Sequence, residues 1–81
     1  MDTYTTVKNR LLELLGEKKM SIHKLAMESA VAPSSIKNIL YGKSKNPGTR
    51  TLLDICQALN ITLFDFFNDD LFKNVDLEGN Y

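Results

Sequence analysis

With 81 residues, 43% of them hydrophobic and 25% charged, the chain has the make-up of one ordinary globular domain with room for a single core. No apolar run approaches the roughly 20 residues of a membrane span, and the polar segment Met1–Thr6 does not read as a secretory signal, so a cytoplasmic location is expected. The net charge of zero hides a division: residues 1–60 carry nine of the ten Lys/Arg and five of the ten Asp/Glu, net +4, and residues 61–81 carry the compensating −4.

A first helix is expected from about Thr5 to Leu15, where Val7, Leu11, Leu14 and Leu15 recur at core spacing, Leu12 extends the face and Gly16 acts as the stop. Glu17 to Met20 form a connector. Ser21 is placed to cap a second helix, Ile22–Ser29, because its hydroxyl can accept from a free amide of the first turn. After the turn Ala30-Val31-Ala32, Pro33 takes the first position of a third helix, where its missing N–H costs nothing. That helix runs to Tyr41, with Gly42 as its left-handed cap, and Lys43 to Gly48 read as a loop. Thr51 is expected to cap a fourth helix, Leu52–Leu59, with Asp54 completing a capping box, and Thr62 with Asp65 repeats the device for a fifth helix ending near Phe67. No strand pattern competes, so the fold is all-α. The acidic stretch 68–81 reads as a tail, part helical and part disordered, appended to a domain at 1–67.

Between Ser21 and Gly42 the apolar positions Leu25, Ala26, Ala30, Val31, Ile36, Ile39 and Leu40 keep the spacing of two short helices crossing at a tight turn. Neither helix can bury its stripe alone. Ala26 and Ala30 are small enough to let the two approach, and what remains outward on the second is polar: Ser34, Ser35, Lys37, Asn38 and Tyr41. A face of that kind suits a DNA major groove. The objection from zero net charge is met by the +4 of the segment that holds the motif.

Several features mark the chain as similar to a known family. These are Leu25-Ala26, Ile36 and Ile39, Gly42, Asn46-Pro47, and Thr51 to Leu59 followed by Ile61. In this order the set resembles the Cro and phage-repressor type of helix-turn-helix proteins, also called the xenobiotic-response-element family, over about Val7 to Phe67. The resemblance implies a compact five-helix, lambda-repressor-like domain that binds a double-stranded operator as a homodimer and regulates transcription, as a repressor first. Carried over by position, it implies base contacts at Pro33, Ser34, Lys37 and Asn38, and backbone contacts at Ser21, Ser35, Tyr41, Lys43, Ser44, Lys45 and Arg50. Asn38 is the strongest reader, since its amide can pair with adenine N6 and N7. The chain departs from the family at Ala30, often Gly, at Ala32, often Ser or Thr, and at Pro33, often Gln or Ser. The third helix therefore lacks a side-chain cap.

Other features have plainer readings. Cys56, spaced with Leu52, Ile55 and Leu59, is a small core residue, and His23 has no neighbours at metal-ligand spacing. Tyr41 reads either as a DNA-backbone contact or as a cover over the end of the core. No catalytic constellation, metal site or cofactor motif is present, so an enzyme is not expected. The run Phe64 to Phe67 closes the core first. Its surplus, Phe64 and Phe67 with Leu71 and Phe72, offers a dimer or partner surface. The rival to operator binding is a protein-interaction module, such as an antitoxin-like subunit that holds a partner protein.

Overall fold

The computed structural model describes residues 3–41 and 47–74. Among these described residues the helices are, in chain order, α1 (Thr3–Glu17), α2 (Ile22–Ser29), α3 (Pro33–Leu40), α4 (Thr49–Ala58) and α5 (Leu63–Phe67), followed by a 3-10 turn, Asp70–Asn74. No strand occurs among the described residues. Helix α2 packs on α3 and α4, α1 lies against α3 and the 3-10 turn, and α4 holds α5. One continuous core results. Val7, Leu11, Leu14 and Leu15 of α1 meet Leu25, Ala26, Ile36, Ile39, Leu40, Leu52, Ile55, Cys56, Leu59 and Phe66 in it.

Local chemistry explains most boundaries. Ser21 Oγ accepts from the Lys24 amide at 3.0 Å and starts α2, and Pro33 opens α3 with no side-chain cap at Ala32. At α5 the capping box closes as expected. The Asp65 amide donates to Thr62 Oγ1 at 3.0 Å and the Thr62 amide to Asp65 Oδ2 at 3.1 Å. The Thr62 amide, and then its hydroxyl, hold the Asp65 carboxyl below its ordinary range. Because the folded value is depressed, this contribution to stability is complete above the unfolded pKa and fades as pH falls through the folded one.

Two expectations are corrected. Gly16 does not stop α1; the helix runs on to Glu17, and Lys19 takes the left-handed conformation at φ 52°. Its closure is a Schellman pattern, with the Met20 amide donating to the Leu15 carbonyl at 3.0 Å. Helix α4 likewise begins at Thr49, capped at Gly48, rather than at Leu52 after Thr51. The Leu52 amide donates to the Gly48 carbonyl at 3.1 Å, which places Thr51 inside the helix. Asp54 pairs instead with Arg50 one turn back, Nε to Oδ1 at 3.2 Å. Gly42, expected to cap α3, lies outside the described residues.

The interhelical turn carries local strain. Ala30 sits at φ 59°, ψ 22°, a left-handed conformation that its Cβ disfavours by roughly 1 kcal/mol. It is held there by packing and by the Val31 amide donating to Ser29 Oγ at 3.2 Å. Ala30→Gly is expected to stabilise the domain by about 0.5 kcal/mol, less than the full strain because glycine loosens the unfolded chain. A thermal melt with a lower Tm than the parent would contradict it.

Candidate nucleic-acid interface

Helix α3 divides cleanly in cross-section. Ile36, Ile39 and Leu40 are buried, and Ser34, Lys37, Asn38 and Tyr41 are exposed. The four exposed residues stand at i, i+3, i+4 and i+7, one stripe opposite the buried face. Pro33 and Ser35 are exposed beside it at the N-terminal end. The helix is thus anchored along its back while its polar front projects from the body.

Tyr41 stands with the exposed front. It is 66% exposed. Its amide donates to the Lys37 carbonyl at 2.8 Å, which carries it as a continuation of the last turn. With Ser34, Lys37 and Asn38 it lines an open cleft of about 250 Å³.

Besides Ser35 and Tyr41 on α3, the expected backbone contacts divide into three groups. Ser21 is exposed at the start of α2; its oxygen accepts from Lys24, which leaves the hydroxyl proton free to donate. That end of α2 also presents first-turn amides, a favourable position for an anion. Lys24, exposed on the same turn, escaped the sequence reading. The signal for it is its position three residues after a cap at the anion-attracting end of a helix. Arg50 keeps 88% of its side chain exposed but is tethered to Asp54, so it is not a bare cation. Lys43, Ser44 and Lys45 lie outside the described residues.

At the opposite end of the chain the four apolar residues fare differently. Phe64 is 72% exposed and Phe67 37%. Leu71 and Phe72 are half-buried, and Phe72 packs against the core. The Phe67 ring meets Phe66 at 5.0 Å and Phe72 at 4.9 Å between centroids, both edge to face. Cys56 is buried, and burial raises its thiol pKa, which disfavours the nucleophilic thiolate.

A family model for the Cro/C1-type HTH DNA-binding domain matches residues 10–70. The chain belongs to the Cro/C1-type helix-turn-helix family. As a Cro/C1-type domain it is a DNA-binding protein of the transcription-regulator kind, and its partner is double-stranded DNA. A solved relative agrees in fold: the crystal structure of the prophage Lp1 protein 11 superposes with a TM-score of 0.78 at 28% identity, covering 93% of this chain and 100% of that one. No curated protein matched the chain. No helix among the described residues is long and apolar enough to cross a membrane.

Proposed function

We propose that this Cro/C1-type domain represses transcription from the cytoplasm by laying α3 in the major groove of a short, two-fold symmetric operator. The exposed α3 stripe set against a fully buried back carries the reading, because it makes a rigid surface of hydrogen-bonding side chains at groove width. Asn38 takes an adenine through N6 and N7. Ser34 and Pro33 meet the adjoining base edges, and Lys37 reaches guanine or a phosphate. Ser21, Lys24, Ser35, Tyr41 and Arg50, with Lys43, Ser44 and Lys45, position the backbone. Homodimerisation through Phe64 and Phe67, with Leu71 and Phe72 behind them, sets the half-site spacing.

The test is selection of bound duplexes from a random pool with the parent and with Asn38→Ala. The parent should return an inverted repeat. Asn38→Ala should lose preference at one A·T pair per half-site, about 1–3 kcal/mol of discrimination, with its residual affinity for random DNA retained. Affinity for the motif should also fall steeply with salt, roughly 0.9 in log slope for each phosphate neutralised. Recovery of no motif would transfer the function to Phe64 and Phe67 as a surface for a partner protein, the antitoxin-like alternative.

A further inference from the structure

The cleft between Ser34, Lys37, Asn38 and Tyr41 has features that hydrogen-bond readout by Asn38 does not use. It is open, its lining is mostly apolar, and at about 250 Å³ it falls below the roughly 300–1,000 Å³ of sites that enclose a small-molecule ligand. Such a notch suits one projecting group of a larger partner. Three polar side chains frame it, while a tyrosine ring and the methylenes of a lysine provide carbon surface.

In the major groove only one base carries a projecting apolar group, the C5-methyl of thymine. Wherever Asn38 takes an adenine, that pair brings a thymine into the same groove. We propose that the cleft receives this thymine methyl, or that of the adjoining pair, against the Tyr41 ring. Tyr41 is then a specificity residue, whereas family position alone places it on the DNA backbone. The proposal rests on α3 being the reading helix. It adds that the A·T preference has two sources, the Asn38 amide on the purine and the Tyr41 wall on the pyrimidine. The Tyr41 amide donates to the Lys37 carbonyl, which places the residue on the last turn of α3, in line with Asn38.

Uracil tests this directly, since it keeps Watson–Crick pairing and removes only the methyl. In duplexes carrying the selected motif, each thymine is replaced singly by deoxyuridine and affinity is measured for the parent, Tyr41→Ala and Tyr41→Phe. The expected result is one thymine per half-site whose replacement weakens the parent about fourfold, the equivalent of one buried methyl. Tyr41→Ala should bind the thymine and uracil duplexes equally, and Tyr41→Phe should retain the discrimination. With Tyr41 at 66% exposure, neither variant disturbs the core, which a thermal melt checks. A uracil scan that leaves parent affinity unchanged at every position overturns the cleft's role while leaving Asn38 readout standing. So does a penalty that persists in Tyr41→Ala. A parent that selects no motif removes both readings together.

Discussion

Replacing Arg10 with alanine is expected to destabilise the domain by about 3 kcal/mol, close to the effect of breaking a buried ion pair. Arg10 is the one basic side chain in the core face of α1, and 10% of it is exposed. Its Nε donates to the Phe66 carbonyl at 2.7 Å and a terminal nitrogen donates to the Asp65 carbonyl at 2.8 Å. The other terminal nitrogen reaches Asp69 at 3.2 Å and also pairs with Glu13. Two of these acceptors are carbonyls at the end of α5, groups that a helix C-terminus leaves without partners. Alanine would orphan both and set two carboxylates facing each other without a cation, which is why the loss exceeds that of one hydrogen bond. Arg10→Lys should recover less than half, because an ammonium cannot span the fork that serves two carbonyls and two carboxylates. Urea denaturation decides the matter. A loss under about 1 kcal/mol for the alanine variant would mean that water replaces the guanidinium.

Arg10 also marks where sequence reading ends. The features read correctly are local. Ser21 caps α2, Pro33 begins α3, and Thr62 with Asp65 closes a capping box, each within four residues of its partner. The α3 stripe was equally legible, because a period of 3.6 places Ser34, Lys37 and Asn38 together and Ile36, Ile39 and Leu40 behind them. Part of what the sequence did not disclose depended on distant partners. Arg10 and its acceptors in 65–69 are more than 50 residues apart. Helix α4 extends back to Thr49 because Gly48 can start it and Arg50 finds Asp54, which overrode the more conventional cap at Thr51. The left-handed positions at Lys19 and Asn60 close helix ends through local backbone hydrogen bonds, Met20 to Leu15 and Ile61 to Cys56, but neither is the glycine that would mark such an end in a sequence. Phe72 similarly looked like surplus until the 3-10 turn brought it onto Phe66 and Phe67.

Phe66→Ala is expected to have the largest effect, a loss of about 3–5 kcal/mol. The ring is fully buried, meets Phe67 edge to face at 5.0 Å and Phe72 at 6.3 Å, and is the only aromatic ring of the described core. Against a typical total of roughly 5–15 kcal/mol, such a loss would leave a substantial unfolded population near physiological temperature. DNA binding should weaken by that population alone. The α3 face stands on Leu25, Ile36, Ile39 and Leu40, so saturating operator duplex should raise the Tm of the variant by mass action. Combining Phe66→Ala with Arg10→Ala discriminates further. Both changes release the same segment, because Arg10 holds the carbonyl of the residue whose ring is deleted. Once the ring is gone the segment has less reason to stay docked, and the guanidinium has less to lose. The double variant should therefore lose less than the sum of the singles, by at least about 0.5 kcal/mol. Strict additivity would mean that ring and guanidinium stabilise independent parts of the fold, and that α5 remains docked when either is lost.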